Sequence, residues 1–313
     1  MNPHSYNQIV RRRFAWFAWA VLGFNLLVIL WGALVRASKS GEGCGDRWPL
    51  CNGVVIPHAA QIATIIEFTH RASTGIAFFS VLAMAIWAFR AFRGQPVSRA
   101  ASASIFFIVT EALLGAGLVL FKYVGADQSA GRAIYLSAHL VNTLLLLAAM
   151  ALTAWWASGH RPMERSGSNV TTLGLALLAA LIIAITGAMT ALSDTLYPVA
   201  SLHTGFAADF SPASPMLVRL RILHPVIAIA ASVYIVIAAA ATTGAQHLSR
   251  IVIALVAAQI AAGMLNIWLL APIWLQLVHL LLADLLWIAL VLLAASALEK
   301  SPLLEAVPAL VHT

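Results

Sequence analysis

The chain has 313 residues, of which 62% are hydrophobic and only 9% charged, with a formal net charge of +7. Soluble domains carry roughly one charged residue in four, so this composition excludes a soluble globular protein and makes the lipid bilayer the expected solvent. The basic residues sit in short loops and form no stripe, so no nucleic-acid partner is expected.

Eight continuous apolar runs reach the roughly 20 residues that a spanning helix needs: 14–36, 62–91, 99–121, 132–157, 170–193, 217–242, 248–270 and 273–297. They do not alternate, which predicts helices and not a β-barrel. The first run is too long for the apolar core of a secretory signal and is expected to remain as an uncleaved span. With "RRR" before it inside, the inner segments hold Arg11, Arg12, Arg13, Arg90, Arg93, Arg99, Arg161, Arg165, Arg250 and Lys300. The outer loops hold Arg36, Lys39, Arg47, Lys122, Arg132, Arg219 and Arg221. This bias predicts a multi-pass protein of a cell inner membrane, with both termini cytoplasmic.

The first outer loop, "SGEGCGDRWPLCNG", carries both cysteines, Cys44 and Cys51. An oxidising outer space lets a disulfide persist there, and closing so short a loop contributes roughly 2–3 kcal/mol. The pair reads either as a structural staple or as a redox-active couple. Without nearby histidines it makes a poor zinc site. Trp48 and Pro49 are expected to stiffen the loop.

Span two opens with "IEFTHRASTG", placing Glu67, His70 and Arg71 in an otherwise apolar segment. Ionisable groups in hydrocarbon cost several kcal/mol each and so signal function. His139, His224 and His279 lie in spans four, six and eight. All four of these spans enter from the outer face, and each histidine is six to eight residues from its helix start, roughly 10 Å deep at 1.5 Å per residue. His4, His58, His160, His203, His247 and His312 fall in tails or loops.

The same residues align within an internal repeat. "WGALVRASKSG" pairs with "ITGAMTALSDT" through Gly32 and Gly187, and "EFTHRASTGIA" with "RILHPVIAIA" through His70 and His224. "EALLGAGLVL" pairs with "AQIAAGMLNI", matching Glu111 to Gln259 and Gly115 to Gly263. "YLSAHLVNTLLLLA" pairs with "WLQLVHLLLADLLW", matching His139 to His279. Four spans per repeat make the repeats parallel, so the fold class is an all-α membrane protein of two four-helix bundles, residues 1–160 and 161–313. Two imidazoles facing each other across a bundle can ligate one haem iron axially. Gly115, Gly117, Gly263, Ala138 and Ala228 are small enough to admit a flat cofactor, and small residues also simply let helices approach.

The halves differ. Glu67 precedes His70 by about one turn, whereas Arg221 precedes His224, and Pro225 replaces Arg71. Only the N-terminal site therefore carries an acid–base group. The competing readings of that group are an ion pair with Arg71, or an Arg71 committed to a haem propionate. Glu111 either faces the N-terminal bundle or makes a helix–helix hydrogen bond, and Asp284, off the face of His279, reads as structural. The long loop between spans five and six either covers the C-terminal haem edge or is ordinary surface.

Taken together, "GALVRASKSGEGCGDRWPLCNG", "IEFTHR", the four even-span histidines and the repeat resemble the haem A synthase family over residues 14–297. The resemblance implies oxidation of a methyl group of haem O to a formyl group by successive hydroxylations, giving haem A for cytochrome c oxidase. It implies haem b as cofactor on His224 and His279, and haem O as substrate flanked by His70 and His139, with Glu67 as the essential acid. Cys44 and Cys51 match the first-loop cysteine pair of one subgroup; the second pair of some members, between spans five and six, is absent here. Hand-over from a haem O synthase is a plausible partnership, and no residue identifies an electron acceptor. The alternatives are a diheme cytochrome b-type electron carrier and a proton-coupled transporter. Against the carrier, each ligand helix has one histidine and all lie on one side; against the transporter, no helix is expected to break in mid-membrane.

Overall fold

The computed structural model describes residues 3–58, 61–163 and 169–299; Arg165, Lys300 and His312 lie outside them. Among the described residues eight helices are long and apolar enough to cross a membrane: Gln8–Ala37, Ile62–Ala91, Pro96–Leu120, Ala130–Ala157, Asn169–Leu196, Met216–Ala241, Gln246–Trp268 and Ile273–Ala297. They match the eight apolar runs of the sequence within a few residues. Helix α1 (Pro3–Ala37) starts earlier than expected, so His4 belongs to a helix and not to a tail. Helices α2 (Ile62–Ala91), α3 (Pro96–Leu120, with proline at its first position) and α4 (Ala130–Ala157) follow. A missing N–H costs nothing at a helix start, which is why Pro96 fits there. Ser129 caps α4 by accepting from the backbone of Arg132.

Helix α5 (Asn169–Leu196) leads into the long connection between spans five and six, which is partly helical: α6 (Leu202–Phe210) is closed by a capping box between Ser201 and Thr204. Span six is divided into α7 (Met216–Leu220) and α8 (Leu223–Ala241) by a turn at Arg221 and Ile222. The apolar run conceals this break, but its cause is in the sequence. Pro225 has no N–H for the carbonyl of Arg221 and its ring crowds that carbonyl. Helices α9 (Gln246–Trp268) and α10 (Ile273–Ala297) complete the chain.

Spans four and eight form the centre, with 67% and 56% of their apolar windows buried against 11–33% for the others. One core joins Phe14, Val81, Met84 and Leu147 of α1, α2 and α4 to Trp287 and Val291 of α10. A second joins Leu173, Ile235, Val252 and Leu290 of α5, α8, α9 and α10. At their junction the buried Trp287 indole donates to the carbonyl of Leu144 at 2.6 Å.

Candidate functional site

Glu67 is 3% exposed, and its carboxylate joins span two to the loop between spans one and two. Oε1 accepts from Arg71 Nη2 at 2.6 Å and from Nε at 3.1 Å, while Oε2 accepts from the backbone N–H of Cys44 at 2.8 Å. Arg71 also donates from Nη1 to the carbonyls of Leu50 (2.6 Å) and Arg47 (3.3 Å), and from Nη2 to that of Gly45 (3.3 Å). All five guanidinium hydrogens are thereby committed, leaving none for a haem propionate in this arrangement. Glu67 is ion-paired with Arg71, and its partners extend to a loop contact that sequence spacing does not disclose.

The loop is held as tightly as the carboxylate. Cys44 and Cys51 form a disulfide, and both are buried. The hydroxyl of Thr64 and the side-chain amide of Asn52 donate to the carbonyl of Gly43 at 2.8 and 3.2 Å. A Cβ on Gly43 would lie 2.5 Å from the backbone of Ala63, so this contact with the start of α2 requires glycine.

The histidines fall into two neighbouring pairs. His70 on α2 is within electrostatic reach of His139 on α4 and of Glu111 on α3, and His279 on α10 is within reach of His224 on α8. Each ring lies against a glycine of the preceding span. A Cβ on Gly32 would stand 2.8 Å from the His70 ring, on Gly187 3.1 Å from His224, on Gly263 3.2 Å from His279, and on Gly115 3.8 Å from His139. Gly115 and Gly263 thus make room for imidazoles, and Gly117 for Tyr135, rather than for a flat cofactor directly. Thr186 places its hydroxyl 3.1 Å from Nδ1 of His224, and Gln259 its amide nitrogen 3.3 Å from Nε2 of His279.

Arg221 does for the connection between spans five and six what Arg71 does for the loop between spans one and two. It donates to Asp209 of α6 (2.6 and 2.9 Å) and to Asp194 of α5 (3.2 Å). Arg36 of α1 reaches across to the carbonyl of Ala191, the hydroxyl of Thr195 and the side chain of Gln276, at 2.6, 2.6 and 3.1 Å. Sequence reasoning missed Arg36, Asp194, Asp209 and Thr186; the signal available for Arg36, Asp194 and Thr186 was their place in the aligned segments, and Asp209 lies outside them. Asp284 is fully buried, and neither carboxylate oxygen has a hydrogen-bond partner among the described residues. His160, away from both pairs, stacks on Trp155.

Among the described residues no three His, Cys, Asp or Glu side chains converge as ligands for a bare ion. The available donors are imidazoles two by two, and Nδ1 of His70, His139 and His279 is buried without a hydrogen-bond partner. Two imidazoles per site fit a haem iron, which takes two axial nitrogens and needs no others from the protein.

The sequence model of the cytochrome oxidase assembly protein family matches residues 15–291. The chain is 48% identical over 297 residues to a Thermus thermophilus protein named protoheme IX farnesyltransferase, a match covering 92% of this chain and 49% of that protein. It is 50% identical over 97 residues to heme A synthase of Shouchella clausii, covering 31% of this chain and 32% of the other. It is 38% identical over 141 residues to heme A synthase of Geobacillus kaustophilus, covering 44% of each. The chain spans about half the length, or less, of these curated relatives.

Proposed function

The chain belongs to the cytochrome oxidase assembly protein family, the haem A synthase family that its motifs resemble, and from that premise we propose that it oxidises a methyl group of haem O to the formyl group of haem A. The observation that carries this reading is an inequality between two imidazole pairs. Three residues before His70 stands a buried carboxylate, Glu67, whereas three residues before His224 stands Arg221, turned onto Asp209 and Asp194. In this reading His70 and His139 flank haem O, and Glu67 holds or moves a proton beside it. His224 and His279 hold haem b, which when bound supplies one-electron transfer. The glycine–histidine contacts, which recur at the aligned positions, support two parallel bundles over 1–160 and 161–313.

The bundles stand in an inner membrane with both termini cytoplasmic, a placement supported by a disulfide in the first outer loop. A farnesylating enzyme is the proposed source of the substrate. A Thermus protein named for that activity contains, in about half its length, a sequence 48% identical to this one.

The test is co-expression with a haem O producer, followed by purification and analysis of the extracted haems. Wild type is expected to yield haem A. Glu67→Gln keeps the side-chain shape but not the charge, and is expected to lower haem A formation about 100-fold, within the range of acid–base groups, while keeping b haem. Haem b alone in wild type would instead make the protein a diheme carrier, and full activity of Glu67→Gln would remove Glu67 from the chemistry.

A further inference from the structure

Glu111 stands behind His139 in a polar cluster that the second half lacks. Its Oε1 lies 3.3 Å from Nδ1 of His139, with the ring turned off the line of a good hydrogen bond. The Thr143 hydroxyl, one turn beyond His139, donates to the same oxygen, and Asn142 Nδ2 donates to Oε2 at 2.6 Å. Asn142 is fixed in turn by the carbonyl of Phe107 (2.9 Å) and by the hydroxyl of Thr110 (2.6 Å). Asn142 and Thr143 are both buried. At the aligned positions of the second half, Thr110, Glu111, Asn142 and Thr143 become Ala258, Gln259, Leu282 and Ala283. Four polar residues are reduced to one amide. A helix–helix hydrogen bond alone would not need a carboxylate with its own set of donors in the membrane, where polar groups are costly.

We propose that Glu111 is a positioning residue that strengthens His139 as an iron ligand, so that the haem held by the first pair is more electron-rich than the haem held by the second. This rests on the reading of His139 as a ligand. A carboxylate at the second nitrogen of a ligating imidazole fixes the ring and raises its basicity, and such outer contacts are a main control on the metal. A more basic axial ligand favours ferric over ferrous iron and lowers the reduction potential. The amide of Gln259 beside His279 does less.

The test is an optical redox titration of the full chain in nanodiscs, loaded by co-expression with a haem O producer. Two midpoints are expected, the lower one abolished by His139→Ala. Glu111→Gln is expected to shift the lower midpoint upward and leave the upper one in place, with Glu111→Asp giving a smaller shift. A lower midpoint that stays put in Glu111→Gln, with haem retained, overturns the proposal. If that variant does not hold haem, Glu111→Asp carries the test: the lower midpoint should rise, and an unmoved one overturns the proposal equally. Survival of both components in His139→Ala would instead sink the ligand reading itself.

Discussion

Four glycines touching four imidazoles make the site a matter of single atoms. Gly32 is the most crowded, since an added Cβ would stand 2.8 Å from the His70 ring, whereas at Gly115 it would find the His139 ring at 3.8 Å, ordinary contact. Overpacking a fixed ring costs about 1–3 kcal/mol, and 1.4 kcal/mol is tenfold in an equilibrium. Gly32→Ala is therefore expected to cut haem A formation by about tenfold or more at unchanged expression. Gly115→Ala should stay within roughly twofold, helped by the better helix propensity of alanine. Equal effects of the two substitutions, measured as haem A per milligram of protein, would refute the contact-based ranking. The histidines were legible in the sequence because ionisable groups are expensive in hydrocarbon. The glycines were legible as aligned positions, but their role was not, because one-letter spacing does not say which ring a small residue faces. The same limit hid the backbone N–H of Cys44, which meets Glu67 across 23 positions of sequence.

The first outer loop and α2 behave as one element. The disulfide closes the loop, Arg71 gathers three of its carbonyls, and the N–H of Cys44 reaches Glu67. Replacing both cysteines by serine is expected to cost roughly 2–3 kcal/mol of loop stability by the chain-entropy argument. Because that loop supplies a donor to Glu67, turnover should fall while the b-haem spectrum of the second pair stays unchanged. A double variant with wild-type turnover would show that Arg71 alone holds the carboxylate. The helices themselves were readable because eight uninterrupted apolar runs admit few alternatives. What stayed hidden lies at their outer ends. The break before α8 follows from Pro225 within an apolar run, and α6 from a Ser201–Thr204 cap inside what reads as loop. Both depend on local backbone geometry, which mean apolarity over a 20-residue window averages away.

At the scale of the whole molecule, the two sets of four spans share an apolar core and are further tied by specific polar contacts. Trp287 of α10 binds the backbone of α4, and Arg36 at the end of α1 binds α5 and α10. Arg36 is the more telling of the two because its partners all lie in the last four spans, 155 to 240 positions away. Hydrogen bonds to charged donors contribute about 1.5–3 kcal/mol each, and an orphaned carbonyl adds a penalty, but the methylene stem of a replacement recovers some packing. Arg36→Met is thus expected to destabilise the folded protein by about 2–4 kcal/mol. Arg219, exposed at the outer end of span six, offers a matched control, and Arg219→Met should be near neutral. Denaturation in detergent, followed by tryptophan fluorescence, compares the two. If electrons pass between the pairs, loosening this junction should also slow haem A formation before it releases either haem, since the sites would separate while each bundle stays intact. Simultaneous loss of both haems with no prior fall in rate would show that Arg36 serves global stability only, and that the junction plays no part in coupling the two sites.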